Sequence, residues 1–547
     1  MRLKLILLLL LGAAAVWLMT LPAGAQSPSD HSGAPQSGSS EADAAPGRKM
    51  AQQAAQATTK WTTADHSKFE ALNKRFESGN EITEACLSCH SEAAEQIKET
   101  IHWTWLSPYD DGGETGKAGY SVNNFCVSAN KMEDKKCSNC HIGWNGKEEH
   151  INCLLCHGQK DVKWRAEFKD YQFFSEMGDT GIANEIQKTI QEGAKAIGLP
   201  DRRNCGNCHF YGGGGEAVKH GDLDASLIKP KKTLDVHMGL DGQNFRCTRC
   251  HSTTDHQIAG RVYSTPASVE RKSLVEHDLA PKIMCESCHT AKPHKSGHKA
   301  NDHTDRVACQ SCHIPKFARV HATKMWWDWS KAGTLKDGNP YQEKGEFGRP
   351  VYKSIKGEFR WEKNVIPEYY WYNGSITTLT AKDIIDPTQP VRVSWPVGSR
   401  GDENARIFPF KVHRGKQPYD KVHNILIAAL LSENVDGYWK TFDWEDAISR
   451  GHETMGLPWS GELGFVDSRY VYPTTHMVAP KEDVVNCAKC HVREDSRLSN
   501  LAGFYMPGRD RFRLLDMAGW GLALAALAGV ILHGLGRIFT NGRTKED

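Results

Sequence analysis

The stretch Cys137–His157 reads CSNCHIGWNGKEEHINCLLCH and contains the same five-residue pattern, Cys-x-x-Cys-His, twice. The pattern occurs eight times in the 547 residues and accounts for 16 of the 17 cysteines. In chain order the copies are Cys86/Cys89/His90, Cys137/Cys140/His141, Cys153/Cys156/His157, Cys205/Cys208/His209, Cys247/Cys250/His251, Cys285/Cys288/His289, Cys309/Cys312/His313 and Cys487/Cys490/His491. They are called the first to the eighth motif below.

The spacing within the motif suits the covalent attachment of haem. Two thiols add to the two vinyl groups of the porphyrin, so they must stand about one helical turn apart, and the histidine that follows faces the iron. A single copy would be compatible with a redox dithiol or half of a zinc site. Eight copies, each followed at once by His, favour eight covalently bound c-type haems over these alternatives and over disulfides.

The N-terminus has the features of a secretory signal peptide. Arg2 and Lys4 precede the apolar run Leu5–Val16, and residues 23–25 (AGA) form a small-residue cleavage site. Residues 1–25 are therefore predicted to be a signal peptide, with an uncleaved anchor as the alternative. Residues 26–60, which are rich in Ser, Gly, Ala and Gln, are predicted to be a disordered linker.

A second apolar segment lies near the C-terminus. Met517–Gly536 is a run of 20 residues without Asp, Glu, Lys or Arg, which is long enough to cross the hydrocarbon core as a helix. We predict a transmembrane helix over residues 514–537 and a cytoplasmic tail over residues 538–547, with a buried soluble helix as the alternative. The octahaem body, residues 61–500, would then be periplasmic and anchored to the inner membrane.

Residues 314–486 contain no haem motif but many Trp and Tyr residues. We expect these aromatic side chains to pack against haem faces and against each other. A helix is expected around Ile425–Leu431 and short strands around Gly338–Val393. The predicted fold class is a multihaem cytochrome c, made mainly of short α-helices and loops wrapped around haems, with little β-sheet and one C-terminal transmembrane helix.

Composition and charge limit the kinds of binding partner and axial ligand that the chain can have. The formal net charge is +2 and no basic block occurs, which argues against a nucleic-acid partner. Histidine is abundant: besides the eight in the motifs, and His31 and His533 in the predicted linker and span, 15 of the 25 remain as candidate sixth ligands. A protein with two histidines on every iron would need eight of them.

Several segments resemble one family, the octahaem cytochromes of the tetrathionate reductase type. They lie within about Trp61 to Asp495, nearly the whole exported body. The segments are IHWTW (Ile101–Trp105), NNFC (Asn123–Cys126), CSNCHIGW (Cys137–Trp144), CGNCHFYGGGGEAVKHGD (Cys205–Asp222), CQSCHIPKFAR (Cys309–Arg319), WDWSKAG (Trp327–Gly333) and THMVAP (Thr475–Pro480). The order of eight motifs together with the Gly-rich segment before Lys219-His220 makes the resemblance specific.

The resemblance implies an active site at the haem of the second motif, with Lys219 as one axial ligand. Lysine binds iron only as the neutral amine, and burial beside a metal lowers its pKa. The family also places a cysteine and an asparagine beside this haem, which here are Cys126 and Asn123. A thiol suits sulfur chemistry because thiolates attack S–S bonds, although a small buried hydrophobe and an intermolecular disulfide remain alternatives for Cys126. Glu216 stands where the family commonly has Asp, and it would orient the amine or relay protons.

Sixth ligands for the other haems are also implied by the resemblance. They are His102, His220, His237, His256, His294, His303 and His476, which together with Lys219 make eight. Four histidines are kept in reserve: His66, His277, His298 and His321. His150, three residues before Cys153, is interpreted as structural.

The function implied by the resemblance is that of a periplasmic reductase. Electrons would pass along bis-His haems to the Lys-ligated haem and reduce tetrathionate to thiosulfate, with nitrite and hydroxylamine as further candidate substrates. Family members are soluble, so the added C-terminal helix predicts contact with lipid and a membrane partner, either a quinol-oxidising protein or a b-type cytochrome. His533 within this helix is interpreted as an interfacial residue.

Two other functions stay open. One is a non-catalytic, membrane-anchored conduit between a quinol oxidase and another acceptor. The other is a different octahaem enzyme. The chain has no Cys-x-x-Cys-Lys motif and no widely split motif, which argues against the nitrite and sulfite reductases that use them. A hydroxylamine-oxidising enzyme with a tyrosine–haem crosslink is not distinguished by the sequence.

Overall fold

The structure, a computed structural model, describes residues 45–56, 64–107, 110, 112–128, 140–144, 150–260, 284–432 and 437–541. The predicted signal peptide, Cys137, His277 and residues 542–547 of the predicted tail lie outside them. The helices are Pro46–Gln56 (α1), Gly79–Leu87 (α2), Ala93–Lys98 (α3), Ile101–Thr104 (α4), Leu154–His157 (α5), Trp164–Glu176 (α6), Thr180–Lys195 (α7), Arg202–His209 (α8), Glu286–His289 (α9), Cys309–His313 (α10), Tyr438–Thr441 (α11), Trp444–Met455 (α12) and Arg513–Asn541 (α13). Short 3₁₀ turns are His66–Lys68, Glu70–Leu72, Ala225–Leu227, Cys247–Arg249, Lys299–Asp302, Trp329–Lys331, Lys481–Asp483 and Cys487–Lys489.

The first seven motifs lie in a region of short helices and loops, as the sequence predicts. Its own apolar core is small and gathers around the antiparallel pair α6 and α7, where Trp164, Phe168 and Ile190 are buried. Trp144, three residues after the second motif, packs into this core and donates a hydrogen bond from its indole to Thr83 at 2.8 Å. The second motif is therefore held against the α6–α7 pair.

A large sheet is built from the segment without motifs. Its strands are Thr323–Asp328 (β3), Gln342–Lys344 (β4), Pro350–Lys353 (β5), Gly357–Glu362 (β6), Glu368–Tyr372 (β7), Ile376–Thr378 (β8), Val391–Pro396 (β9), Arg406–Asp420 (β10), Ile425–Leu426 (β11) and Leu463–Pro473 (β12), after a two-residue hairpin, Thr253–Thr254 (β1) with Gln257–Ile258 (β2). The order across the sheet is β4-β5-β6-β3-β10-β12-β9-β8, and β7 and β11 also pair with β10. Strand β10 is antiparallel to β12 and parallel to β3.

The prediction of little β-sheet is therefore wrong. Ten strands join in one sheet, because Trp, Tyr, Phe, Val and Ile favour extended backbone when both faces are covered. Many of the aromatic side chains pack on one another: Trp327 stacks on Trp329 with ring centroids 4.8 Å apart, and Trp329 meets Trp444 at 6.0 Å. The sheet is a second core beside the haem-motif region, and it carries one wall of the cavity described below.

The helix expected around Ile425–Leu431 is also wrong. Ile425 and Leu426 form the short strand β11, and the residues after them are irregular and almost fully buried. Their backbone groups bond to other elements instead of to one another: Ala428 N–H donates to His452 Nε2 at 3.3 Å, and Ala429 N–H to the carbonyl of Val127 at 2.9 Å. These bonds replace the i to i+4 ladder that a helix would need.

Helix α1 falls inside residues 26–60, for which the composition predicts a disordered linker. The described part of that segment, residues 45–56, is helical over Pro46–Gln56. It packs on the sixth motif, where Gly47 N–H donates to the carbonyl of Pro293 at 3.0 Å. Gly47 has no room for a side chain, because a Cβ there would meet the carbonyl oxygen of His289 at 2.5 Å. This contact gives the otherwise polar helix a docking place.

Helix α13 coincides with the predicted span. Among the described residues, Arg513–Thr540 is the one helix long and apolar enough to cross a membrane, with a mean hydropathy of 1.8 and no part of its apolar window buried in the protein. Six of its seven leucines and its single tryptophan, Trp520, are exposed. An exposed apolar helix of this length needs a cover of lipid or protein.

Candidate functional site

Each described motif is a single turn of helix. In five motifs, the N–H of the histidine donates to the carbonyl of the first cysteine at 2.8–3.0 Å, and the fourth and seventh motifs lie within α8 and α10. This turn brings the two thiols and the histidine to neighbouring positions on one surface. The local geometry fits two thioether bonds and one axial bond to a single porphyrin.

Seven of the eight motifs face one continuous cavity of about 3250 Å³. Side chains of the second to the eighth motif line it. Among the residues that the structure describes, no group of three or more His, Cys, Asp or Glu side chains is placed to hold a metal ion directly.

The first motif lies outside this cavity. Its residues Cys86, Cys89 and His90 are not part of the cavity lining. The sulfur of Cys89 accepts a long hydrogen bond from the hydroxyl of Ser88 at 3.9 Å. Cys89 is exposed, but so are four cysteines of other motifs: Cys156, Cys250, Cys288 and Cys487. Haem attachment through the first motif stays a prediction that rests on the motif and on the histidine pair described next.

Six motif histidines face a second histidine at nearly constant distance. Two imidazole nitrogens each about 2 Å from one metal, with ring centres about 1.1 Å behind them, would put the ring centroids roughly 6 Å apart. The pairs are His66–His90 (6.3 Å), His102–His209 (6.2 Å), His237–His289 (6.0 Å), His251–His476 (6.3 Å), His294–His313 (6.3 Å) and His303–His491 (6.1 Å). Their spacing leaves room for one iron between each pair.

The hydrogen bonds of these histidines support the same orientation. In three of them, Nδ1 forms a hydrogen bond with a backbone carbonyl at 2.8–2.9 Å. The pairs are His66 with Ala64, His251 with Ala259, and His491 with Pro507. When Nδ1 donates to a carbonyl, the other nitrogen, Nε2, is left as the lone-pair donor to a metal. The protein thus sets the tautomer that iron ligation needs.

Buried aspartates orient the distal side as well. The Asp222 carboxylate accepts from His476 Nδ1 at 3.2 Å and from the backbone N–H of Thr475 at 2.8 Å. Although burial favours the neutral acid, hydrogen bonds and the charge of His476 lower the pKa of Asp222 to about 2, so the group is ionised. Asp222 ends a family segment of the sequence, two residues after His220, and no role was predicted for it.

Five of the seven predicted sixth ligands lie in such pairs: His102, His237, His294, His303 and His476. His256 lies near His157 of the third motif: burial lowers the pKa of His256, and the charge of His157 lowers it further. Its Nδ1 is 2.8 Å from Gln96 Oε1.

The seventh predicted ligand, His220, stands apart from these pairs. It is buried and packs edge-on against Tyr472 at 5.1 Å. The first motif faces His66 instead, one of the reserve histidines. Of the other reserves, His298 caps a 3₁₀ turn, and His321 lies 3.7 Å from Glu216. His150 is half-buried, and its carbonyl accepts the N–H of Trp144 at 3.3 Å. The structural role of its side chain stays a prediction.

The second motif differs from the others. Among the described histidines, none pairs with His141 at the spacing of the other motifs; its ring packs against Trp103 and Trp105 at 5.0 and 5.5 Å. The side chain of Lys219 is half-buried and lies near Cys140. Burial, and then the charge of Lys117, lower the pKa of Lys219 to about 8. An amine that gives up its proton this readily is suited to bind a metal.

The Gly-rich loop presents Lys219. Gly213 and Gly214 have φ angles of +82° and +89°, a region that other residues rarely adopt. A Cβ on Gly213 would meet Phe125 at 2.9 Å, so the loop lies directly on the segment that carries Cys126. Lys411 fixes the end of the loop. Its ammonium donates to the carbonyl of Val218 at 2.8 Å and to the carbonyl of Lys219 at 3.1 Å.

Lys411 was missed by the sequence analysis. It lies on β10, is 1% exposed, and also donates to Thr323 Oγ1 at 2.7 Å. Burial lowers its pKa to about 7. A lone lysine in an apolar run is the available sequence signal, and it does not say which carbonyls the amine reaches.

Cys126 and Asn123 line the same cavity as Lys219. The side-chain oxygen of Asn123 accepts the backbone N–H groups of Phe125 and Cys126 at 3.1 and 2.7 Å, and this turn fixes the position of the thiol. Asn123 therefore shapes the segment that carries Cys126. The next residue, Asn124, is bound to His413 of β10 through its Oδ1 and Nδ2, each at 2.9 Å.

Glu216 is engaged away from Lys219. Its carboxylate pairs with Arg349 at 2.8 Å, lies 3.7 Å from His321, and accepts the N–H of Ala225 at 3.4 Å. The described contacts therefore join the Gly-rich loop to the strand region. They do not include the amine of Lys219, so the predicted orienting role has no contact to support it.

Cysteines of neighbouring motifs lie close to each other. The pairs are Cys86 and Cys153, Cys140 and Cys208, Cys156 and Cys205, Cys205 and Cys247, Cys250 and Cys288, Cys285 and Cys309, and Cys312 and Cys490. The motifs consequently form one row, in the order first, third, fourth, fifth, sixth, seventh and eighth, with the second motif attached to the fourth.

The motifs, the ring pairs and the shared cavity define a multihaem c-type cytochrome, and comparison with known proteins agrees. The family described as Cytochrome c bacterial matches residues 324–494. The crystal structure of octaheme cytochrome c from Shewanella oneidensis is 38% identical, with a TM-score of 0.66, and the match covers 79% of this chain and 94% of that chain. The chain therefore belongs to the octahaem cytochrome c family.

A more distant relative adds no function. An uncharacterized protein from Archaeoglobus fulgidus is 23% identical over 254 residues, which are 37% of this chain and 82% of that protein. Family membership confirms the prediction of a multihaem c-type cytochrome that binds haem covalently and transfers electrons. It also indicates a location outside the cytoplasm.

Proposed function

We propose that this protein is a membrane-anchored periplasmic reductase with eight haems, which uses the second motif as its active site and tetrathionate as its substrate. The observation that carries the proposal is the difference between motifs. Six motif histidines face a second histidine. In the second motif, Cys140 instead lies near the amine of Lys219, in the cavity that Cys126 also lines. Nitrite and hydroxylamine are the further candidate substrates.

The ligand roles proposed for the chain follow from this contrast. His66, His102, His237, His256, His294, His303 and His476 serve as sixth ligands, and Lys219 serves the second motif. Bound haems supply one-electron transfer at iron. An amine is a weaker ligand than a second imidazole, so a substrate could displace Lys219 from a haem held by the second motif. A reductase requires one such exchangeable position, whereas a protein that only conducts electrons does not.

Cys126 is the proposed nucleophile for the sulfur substrate. Its thiolate attacks the central S–S bond of tetrathionate, which breaks to release one thiosulfate and leaves a Cys126–S–S–SO₃⁻ mixed disulfide. Two electrons from the row of motifs then cleave the new S–S bond, so that a second thiosulfate leaves and the thiolate returns. Asn123 holds Cys126 in place through the two backbone hydrogen bonds described above.

The proposed electron entrance is the eighth motif, and the proposed donor is a quinol-oxidising or b-type cytochrome membrane protein. The segment between His491 and helix α13 is bound to this motif: the carbonyl of Pro507 accepts from His491 Nδ1 at 2.9 Å. Arg509 donates to the carbonyls of Leu498 and Leu501 at 2.8 and 2.7 Å. If α13 crosses the inner membrane, these bonds hold the eighth motif next to it.

The test is electron paramagnetic resonance of the full-length haem protein together with turnover of tetrathionate and nitrite. In Lys219→Ala, one haem signal should change and turnover should fall. In Lys219→His, the same haem should become a low-spin bis-imidazole centre and remain inactive. The exposed Lys229 offers a control, and Lys229→Ala should change neither readout.

Unchanged spectra and rates in both Lys219 variants would reject the lysine as a ligand. The conduit remains the second candidate function, because the exposed helix α13 and the unbroken row of motifs suit it equally well. Wild-type protein with all irons low-spin and bis-His, and with no ligand exchange at any haem, would favour the conduit over the reductase.

A further inference from the structure

Lys356 brings a second cation to the cavity of Cys126 and Lys219. It lies in the turn between β5 and β6 and lines the same cavity as these two residues. Its ammonium lies 4.6 Å from the ring centre of Trp439 and 5.9 Å from that of Trp327. It also approaches the Gly-rich loop, since a Cβ on Gly214 would come within 3.3 Å of Nζ.

The turn that carries Lys356 is tightly fixed. The indole of Trp327 donates to the carbonyl of Lys356 at 2.6 Å, and the N–H of Lys356 donates to the carbonyl of Lys353 at 2.9 Å. Gly357 follows with a φ of +83°, and a Cβ there would lie 2.0 Å from the carbonyl oxygen of Asp328. The ammonium is therefore delivered by a rigid turn, which reduces the entropy lost on binding a ligand.

Lysine side chains gather around this part of the cavity. Lys324 is buried behind the same wall, with its ammonium 3.6 Å from the ring centre of Trp327 and 3.5 Å from that of Phe359. Burial lowers the pKa of Lys324 well below its usual range, and the charges of Lys356 and Lys353 lower it further. The carboxylate of the Gly-rich loop, Glu216, is paired with Arg349. Lys117 and Lys219 also line this cavity and lie close to each other, and a local cluster of cations attracts anions.

We propose that Lys356 is an anion-binding residue that takes a sulfonate or sulfate group, and that it selects dianions over nitrite for the second motif. The proposal deepens the proposed function and rests on it for the identity of the substrate. Trp439 and Trp327 flank the ammonium and keep it in the cavity. A sulfonate has three oxygens to accept hydrogen bonds from an ammonium with three donors. A dianion gains more from the added positive charge than a monoanion does.

The test measures sulfate binding to the oxidised, haem-loaded, full-length protein by titration calorimetry. Sulfate carries the required charge and is not reduced, so the readout is independent of turnover. In Lys356→Met the Kd for sulfate should rise about tenfold, and Lys356→Arg should restore most of the affinity. Lys353→Met is the matched control, because it removes a lysine three residues away that does not line the cavity. Equal affinity in wild type and Lys356→Met would overturn the proposal.

Turnover distinguishes this proposal from the proposed function. For tetrathionate, Lys356→Met should raise KM about tenfold with kcat within about twofold of wild type, whereas KM for nitrite should change less. Reduction of tetrathionate with an unchanged KM in Lys356→Met would sink the anion site and leave the reductase standing. Absence of tetrathionate reduction by wild type, with sulfate binding still dependent on Lys356, would reject the reductase and support the site.

Discussion

At the scale of single residues, the haem-attachment motifs could be predicted from the sequence. Which sixth ligand pairs with which motif histidine could not. A Cys-x-x-Cys-His turn is local, so its spacing identifies the chemistry. The sixth ligand is brought by tertiary folding: His476 meets His251 across more than 200 residues of chain. His220, which the resemblance implies as a sixth ligand, packs against Tyr472, and His66 faces the first motif. The ligand role of His220 stays a prediction.

The assignment of His66 and His220 can be tested by counting spin states. His66→Ala should convert one low-spin haem into a high-spin haem, because the iron of the first motif loses its sixth ligand. His220→Ala is the matched control, because it removes the same type of side chain from the same haem-motif region. It should leave the number of low-spin haems unchanged. Magnetic circular dichroism of the oxidised proteins measures both. A high-spin haem in His220→Ala alone would reverse the assignment.

Cys126 gives a second prediction at this scale. Cys126→Ser keeps the size of the side chain but replaces a thiolate by a much weaker nucleophile, so tetrathionate turnover should fall by about a hundredfold or more. Nitrite needs no sulfur nucleophile, and its reduction rate should stay within about twofold. Steady-state assays with a reduced dye as donor measure both rates. Equal losses with the two substrates would show that Cys126 acts in another way than by attack on sulfur.

At the scale of elements, the short helices around the motifs follow the sequence prediction, and the sheet does not. Alternation of polar and apolar residues is the usual signal of a strand, but β10 is buried at nearly every position from Ile407 to Asp420 and so carries no such alternation. The pairing that gives the sheet its shape, β10 with β3 in parallel, joins residues about 90 positions apart. The aromatic and β-branched composition of residues 314–486 indicates extended structure. It does not indicate how many strands form or how long they are.

The packing of the sheet region against helix α12 can be tested at Gly451. A Cβ at this position would lie 2.1 Å from the carbonyl oxygen of Ala428, in the irregular segment that the sequence predicted to be helical. Gly451→Ala should therefore lower the free energy of unfolding by about 1–3 kcal/mol through overpacking.

The control is a second helical glycine. Gly181 lies in the first turn of α7. A Cβ added there would approach only the side chain of Asp179, at a distance of 3.4 Å. Gly181→Ala should be neutral or stabilising by up to about 1 kcal/mol, since Ala favours helix more than Gly does. Denaturant unfolding followed by circular dichroism compares the two. Equal effects would mean that α12 does not pack on residues 428–430 as described.

At the scale of the whole molecule, the row of motifs gives the proposed reductase a direction. The proposed entrance, the eighth motif, and the proposed active site, the second, are connected through the seventh, sixth, fifth and fourth motifs. The third and first motifs leave this route at the fourth. They form a side branch, which suits the storage of electrons more than their delivery, because nothing on the way from donor to substrate has to pass through them.

Removal of one sixth ligand at each end of the row tests that arrangement. Loss of an axial ligand shifts the potential of a haem strongly, within a range of about 0.8 V set by axial ligands, and so disturbs any transfer that passes through it. His303→Ala, at the eighth motif, should lower tetrathionate turnover driven by quinol in membranes by about tenfold or more. His66→Ala, at the first motif, removes the same type of ligand from the side branch and should leave that rate within about twofold. Small soluble reductants can reach other haems directly, so with dithionite as donor both variants should turn over at nearly the wild-type rate. A larger loss in His66→Ala than in His303→Ala would place the entrance of electrons at the opposite end of the row and remove the reason for a membrane helix beside the eighth motif.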